Sequence, residues 1–555
     1  MIDKLAILRE LQDIVGDAWA RGDEATLTNY AWNGGVGAIP GPKFIKHWPL
    51  AAVLPQTAEE IAAIIKLCKA RGIHYRAFST GNGAMHLALT PNSVMIDLCR
   101  MNRILKIDAA NQMVVLESGV TAGRLQAEAM RHGLTCHIVG AGPSHSPVAS
   151  ATSFLGIGVT GSSTGQNARN ILALEWVSPD GEIVRIGSFG DDDWFSEEGP
   201  GPGFRGIIRG FMGACGSLGV FTRIGYKLYP WAGPARPVLT GSHPQIGMQI
   251  PSTMRLFMPV WDNLENMRDA LFRLNRASVA FAMLRMPPAH IGWLLTSTNA
   301  EYARRKTTGE LPDYTDMNSG FAWQIVTMGH SDAQAAFQEN LVRHVVAETG
   351  GRFFEVGERE REIMFRNIVA STYVARVFRG AGAGGTSFGI CDSVALLPGV
   401  IRTGEKIAEQ HRKPGGMYAA DCLEGNWAWP TEGRQIWSEN ILAAQPGTAS
   451  GIAEALVGFI KHLYLIEKDP SLGVPAFVAG PLIDLYGPRM QGVNHWMRRI
   501  KLRLDPTWTA DASYYVPQKM PAPARAWPVL QKILFTRPGE KLLRGALTGA
   551  ARKSL

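Results

Sequence analysis

Two stretches of this chain place small residues where the backbone must come close to something else. One is Ser79-Thr80-Gly81-Asn82-Gly83-Ala84; the other begins at about 140 and runs VGAGPSHSPVASATSFLGIGVTGSSTGQNAR. Such turns bury almost no side-chain volume and expose N–H groups that bind phosphate oxygens. Two of them, far apart and both at strand ends, suit a dinucleotide held extended between two lobes. Either alone is equally well a tight turn; the order of elements around them favours the pair. Residues 156–161 read GIGVTG, a literal G-x-G-x-x-G, but SSTGQN follows where an apolar helix stripe belongs. No acidic residue closes a second strand about 20 positions on, so the nicotinamide fingerprint lacks its context. No G-x-x-x-x-G-K-S/T occurs, which leaves nucleoside triphosphate chemistry unsupported. The six cysteines, at 68, 99, 136, 215, 391 and 422, lack metal-ligand spacing. They exclude an iron–sulfur cluster, a zinc ribbon and a disulfide framework, and no other metal site is expected.

The chain that must position these turns has 555 residues, 46% hydrophobic and 19% charged, with 61 glycines. That is material for two or three packed cores. The formal net charge of +8 fits phosphate-bearing ligands, acidic substrates or an anionic membrane surface without choosing among them. At the start, Ile2, Leu5, Leu8, Leu11 and Val15 fall at helical spacing among charges, unlike a signal peptide. No uninterrupted apolar run approaches a membrane span, so the expected location is cytoplasmic, at most peripheral to a membrane.

A loop rich in Gly, Asn and Pro follows the first helix and is expected to lie over another part of the fold. Thr57 and Glu60 then form a capping box, Ile61, Ile64, Ile65 and Leu67/Cys68 an apolar stripe, and Gly72 a stop. Strands are expected at 73–77 and 94–98, on either side of the first cradle. ILKID-AANQ-MVVLE reads as a hairpin, and SGVT opens a helix that Gly133 closes. LALEWVS and EIVRIG, joined by Pro179-Asp180-Gly181, read as another hairpin. From about 235 to 500 longer helices alternate with strands, and from about 501 the chain is expected to be irregular, ending in a basic tail.

The run from Pro55 to Pro230 resembles the flavin domain of the vanillyl-alcohol oxidase / p-cresol methylhydroxylase family. PQTAEEI, STGNG, VVLESGVTAGRL, the second cradle, EWVSPDGEIVR and GACGSLGVFT occur in the family's order, and IKLRLDPTWTADASYY is similar to its C-terminal K-x-x-L-D-P ending. Cys215 stands where the family usually has Glu. The resemblance covers roughly two-fifths of the chain. It implies an α+β protein with four parts. These are an N-terminal helix and loop (1–48), a two-lobed FAD-binding domain of the p-cresol methylhydroxylase type (49–233), a ferredoxin-like α+β substrate cap (234–500), and a return to the flavin domain with a basic tail (501–555).

FAD is then expected with its pyrophosphate on Ser79, Thr80, Gly81, Asn82, Gly83 and Ala84. Further contacts are expected at Pro143, Ser150, Ala151, Ser153, Gly156, Gly158, Thr160, Gly161, Gly216, Gly219 and Val220. Many relatives attach the flavin through a loop histidine whose matching position here is Asn82, so the FAD is expected to be non-covalent, with His86 four residues on. Relatives that oxidise 2-hydroxy acids carry a histidine-containing cap motif; the nearest stretch here, residues 421–429, keeps Gly425-Asn426 and lacks both histidines. Trp427 and Trp429 there suit an aromatic pocket or simply a core. By analogy with phenol-oxidising relatives, the catalytic candidates are Tyr373, Arg376, Tyr418 and His495, with Arg379 and Tyr514 behind them. The implied activity is hydride removal from a small alcohol, phenol or hydroxy acid onto flavin N5. The alternatives are a non-redox transferase of the alkyl-dihydroxyacetone-phosphate synthase type and the flavin subunit of a partner-dependent dehydrogenase. Expected partners are a small-molecule substrate, an electron-acceptor protein, a peripheral membrane contact and further copies of the chain, but not nucleic acid.

Overall fold

A computed structural model describes all residues except 1–2, 32–47, 82–89, 154–155, 188, 190–212, 214–216, 317–318, 373–382, 412–425, 445–447, 476–481, 512–515, 521 and 555. The first lobe combines α1 (Lys4–Val15), α2 (Glu24–Ala31) and α3 (Ala58–Arg71) with β1 (Ala20–Arg21), β2 (Ala51–Val53), β3 (Tyr75–Phe78) and β4 (Val94–Asp97). Its sheet order is β1-β2-β4-β3, with β2, β4 and β3 parallel. The Thr57 cap forms, with Glu60 N donating to Thr57 Oγ1 (3.1 Å), while the Glu60 carboxylate reaches back one residue further, accepting from Gln56 N (2.6 Å). On α1 the buried face is Ile7, Leu11 and Val15, while Leu5 is exposed. Leu11 and Val15 face inward as the stripe predicts, and Ile7 takes the place of Leu5 because the neighbours, α3 and β2, approach from that side.

The second lobe is an antiparallel sheet, β5-β6-β10-β8-β9. It consists of β5 (Ile104–Asp108), β6 (Met113–Glu117), β8 (Ile171–Val177), β9 (Ile183–Ile186) and β10 (Val220–Lys227). The short β7 (Leu134–Thr135), α4 (Ala122–Arg131), α5 (Pro147–Thr152) and the four-residue α6 (Gly161–Thr164) lie between β6 and β8 in sequence. Thus GIGVTG leads into one helical turn and no Rossmann helix.

The cap is built on one long antiparallel layer. Strand 254–261 (β11, Met254–Phe257, then β12, Pro259–Trp261) runs against strand 321–328 (β14, Phe321–Ala322, then β15, Gln324–Met328). The layer continues through β13 (Ala282–Leu284) and reaches β17 (Asn426–Glu432) by paired bonds between Arg285 and Ala428. It ends with β18 (Gln435–Ala444) and β16 (Ala383–Ser393), while Arg352–Phe353 adds an edge strand to β12. One face is covered by α7 (Leu264–Ala277), α8 (Asp332–Glu348) and α9 (Leu397–His411), around Leu271, Ile325, Val345 and Ile436. The other face carries Phe281, Leu284, Trp427 and Trp429 against Ile138 and Val159 of the second lobe. Strand alternation sends Trp427 and Trp429 to this face and Ala428 to the helical one.

The chain returns to the flavin domain before the expected boundary at 501: Ile483 and Met497 already belong to the second lobe's core. Met497 lies on α11 (Val493–Leu504), and α10 (Ala449–Lys468) precedes it. The terminal stretch forms α12 (Ala522–Leu534), where irregular structure was expected, and α13 (Arg537–Ser554), where the basic tail reads as a solvated helix. Among the described residues α10 alone is long and apolar enough to cross a membrane, and it packs between the cap strands and α13.

Candidate flavin site between two lobes and a cap

Three segments converge on the carbonyl of Ser118. Ser79, at the end of β3, donates its Oγ to it (2.7 Å), and so does Ser146, which caps α5 (2.6 Å). The next residue, Gly119, is within 2.6–2.8 Å of the carbonyls of Leu98 and Met101 at its Cβ position, so only glycine lets the three segments close. Ser79 thereby meets the second lobe, and after it come the half-buried Thr80 and Gly81, the latter in a left-handed turn (φ 65°). Tyr30 of α2 covers this corner: its hydroxyl donates to buried Asp97 (2.7 Å) and its ring meets Phe78 edge-on at 5.0 Å. The described part of the N-terminal segment thus lies over the start of the first cradle, but it does so as the helix Glu24–Ala31, where an irregular loop was expected. Asn82, Gly83, Ala84 and His86 fall outside the described residues.

The second cradle is pressed between backbone layers. Gly123 N donates to Pro143 O (2.8 Å), and Ser150 and Ala151 lie in α5, with Ser153 ending it through an Oγ bond to Ala149 O (2.5 Å). Gly156 (φ 64°) has Ser150 O 2.7 Å from its Cβ position. At Gly158 a Cβ would run into Ile138 O and the His137 ring, and at Gly161 into Pro430 O of the cap. Thr160 is fully buried and accepts from Ile138 N (2.9 Å). His137 is tied to Thr164 Oγ1 (2.8 Å), and burial pushes its imidazole down to about 4, so it stays neutral beneath the cradle.

The cap closes over this cradle with main-chain and side-chain bonds. Met283 N donates to Val159 O (3.1 Å), Ser163 Oγ to Phe281 O (2.8 Å), and Ser371 Oγ to Val139 O (2.6 Å). Trp429 lies 3.2 Å from the Cβ position of Gly140, and among the described residues its buried indole N–H has no hydrogen-bond partner. Trp427 bonds His290, which stacks on Trp293 at 4.6 Å. The two tryptophans are core residues, and Trp429 is also the cap's wall against the cradle. Arg285, fully buried, sits over Phe321 on the sheet's helical face, away from the cradle.

The third loop, around Gly213–Gly219, is held from the far end of the chain. Lys501 is completely buried and donates to Ser217 O (2.6 Å), Asp505 Oδ2 (2.7 Å) and Ala510 O (2.8 Å). Ser217 Oγ and Arg76 both donate to Asp511 O, at 2.6 and 3.0 Å. Tyr75 N bonds Thr509 O and Asp511 N bonds Tyr75 O, adding the C-terminal segment beside β3. One lysine–aspartate pair thus ties the strand that delivers Ser79 to the loop that delivers Gly219 and Val220. Burial lowers the lysine's proton affinity and Asp505 opposes that shift. Gly219 (φ 102°) abuts Val177 O, and Trp176 Nε1 donates to Leu218 O (2.5 Å). Sequence reading noticed the K-x-x-L-D-P ending but gave Lys501 and Asp505 no role; their i, i+4 spacing was the available signal. His137 was missed because no pattern marks it.

His495 is exposed on α11. Tyr373, Arg376, Arg379, Tyr418, Tyr514 and Gly216 lie outside the described residues. An open cleft of about 530 Å³ on the cap, walled by Arg255, Glu339, Arg343 and Phe353, receives no residue from the flavin domain and is not this site.

The cradles fit FAD: small residues from both lobes meet at one point, and their glycines sit where a Cβ would force the loops apart. Residues 49–187 match the family of FAD binding domains. The chain is 29% identical over 219 residues to an uncharacterized FAD-linked oxidoreductase of Mycobacterium tuberculosis, covering 39% of this chain and 44% of that one. It is 28% identical over 193 residues to the 4-cresol dehydrogenase [hydroxylating] flavoprotein subunit of Pseudomonas putida, covering 33% and 36%. The match therefore spans less than half the length of these relatives. The fold extends further: a crystal structure of p-cresol methylhydroxylase with substrate bound superposes with a TM-score of 0.70 over 91% of this chain and 96% of that one, at 17% identity. Residues 49–187 thus match an FAD-binding domain, set in a chain with the fold of p-cresol methylhydroxylase.

Proposed function

We propose that this protein is an FAD-dependent oxidoreductase that removes a hydride from a small alcohol or phenol lodged between the second cradle and the cap. The observation that carries the reading is the cradle from Val139 to Gly161, built of backbone and roofed by Trp429 and Phe281. FAD, when bound, supplies the hydride-accepting ring. The chain's own contribution is positional. Ser79, Ser146 and the Ser118–Gly119 turn fix the approach of the two lobes, and the cap bonds at Val139 and Val159 keep water from the cradle. Neutral His137 adds no charge beneath it. An indole wall favours an apolar or aromatic substrate over a hydroxy acid, whose carboxylate needs cationic partners. The flavin is held without a covalent link. A separate protein takes the electrons, a reading supported by the Pseudomonas putida relative, which is named as the flavoprotein subunit of a dehydrogenase.

The test is the visible spectrum of the purified protein, native and after acid precipitation, followed by anaerobic addition of phenols, alcohols and 2-hydroxy acids. Flavin bands that bleach with phenols or alcohols, and a flavin that leaves the precipitate, are expected. No flavin after FAD is supplied, or bound flavin that none of these compounds reduces, overturns the reading; bleaching by hydroxy acids alone overturns the substrate class.

A further inference from the structure

From residue 491 onward the sequence holds five lysines and seven arginines against three acids, Asp505, Asp511 and Glu540. Both aspartates are buried and Glu540 pairs with Lys461 at 3.2 Å, while Arg498, Lys501 and Arg544 are paired with Asp484, Asp505 and Glu454, so nine of the twelve cations remain as the charge of this surface. The last two helices are anchored by their inner faces. Trp527 Nε1 donates to Glu467 (2.5 Å), Phe535 stacks on Tyr464 at 4.0 Å, and Arg544 meets Glu454 at 2.5 Å. Their outer faces are unlike those of an ordinary solvated helix. On α12, Arg525, Val529, Lys532 and Ile533 fall on one side at i, i+4, i+7 and i+8, with Val529 65% and Ile533 56% exposed. On α13 the outward side has Lys541, Leu542 (72% exposed) and Arg552 among small residues. On α11, Trp496 and Leu502 stand out beside Arg499 and Arg503.

We infer that this terminal helical surface docks on an anionic lipid bilayer. A second copy of the chain would set like charges against each other. An acidic protein would answer the cations but has no equal need of a line of exposed Val, Ile and Leu. A bilayer interface answers both, taking the apolar side chains at the acyl boundary and the cations among phosphates.

The experiment is flotation of the whole FAD-loaded protein with phosphatidylcholine vesicles, with and without phosphatidylglycerol. Binding is expected only where phosphatidylglycerol is present, weakening as salt rises. Lys532→Gln/Lys541→Gln is expected to weaken it roughly 30-fold, and Val529→Ser/Ile533→Ser/Leu542→Ser by about tenfold or more, with flavin content and melting temperature unchanged. Absence of binding, equal binding to phosphatidylcholine alone, or undiminished binding by the serine variant overturns the inference. If vesicles fail while the lysine variant slows electron transfer to an acidic carrier protein, the surface belongs to a protein partner instead.

Discussion

Gly156, Gly158 and Gly161 hold the second cradle by leaving no room, whereas the loop at Ser217 is held by a lysine 284 positions away. The first kind of restraint is steric and local: the backbone lies where it does because nothing larger than hydrogen fits between it and Ser150, Ile138 or Pro430. The second is electrostatic and long-range: Ser217 O of the loop and two acceptors of the 505–510 turn share one buried ammonium. The comparison teaches that one site can be rigid for two independent reasons, which fail in different ways. A steric seat is lost when an atom is added; an ionic clasp is lost when one is removed.

The largest expected effect comes from filling the steric seat. Gly158→Ala should cost about 3 kcal/mol or more, since backbone on both sides must move, and should lower FAD retention in proportion. Protein that melts normally and keeps its flavin would remove the steric half of the comparison. Emptying the clasp comes next. Lys501→Met leaves Asp505 buried without its cation and should cost about 3–5 kcal/mol. Adding Asp505→Leu should cost less than the sum of the two single changes, and strict additivity in denaturant unfolding would show that the two side chains do not act as a pair.

A smaller effect separates the regions by pH. The folded-state affinity of His137 for a proton lies below its unfolded value, so its stabilisation is complete above the unfolded value near 6.5 and is lost as pH falls toward 4. The loss amounts to about 3 kcal/mol across that window, and His137→Phe should flatten the decline in melting temperature. Trp429→Phe should cost about 1–2 kcal/mol while changing the rate of flavin reduction by substrate more than flavin content. Equal loss of both would make the indole only a core residue. The smallest effect is expected at Arg169, whose pairing with Glu432 joins the domains at the surface. The arginine side chain is 65% exposed, so Arg169→Ala should change stability by less than about 1 kcal/mol.

Much of the flavin domain was legible in the sequence because its signals are local. Thr57, Glu60 and Gly72 bound α3, the two hairpins carry their own turns, and the cradles declare themselves by composition. The α1 face was misjudged at Leu5 because several apolar residues of one helix compete, and only its neighbours select Ile7 beside Leu11 and Val15. The helix Ala522–Leu534 was not anticipated, and it accommodates Pro528 in its interior.

By itself, the sequence determined that small-residue loops sit at strand ends in an order that suits FAD, since glycine spacing and turn chemistry act over a few residues. Only the tertiary structure decided what stands against those loops. Trp429 reaches Gly140 from the cap and Lys501 reaches Ser217 from the chain's far end, because chain folding, and no local pattern, sets which distant backbone a buried charge or an indole will meet.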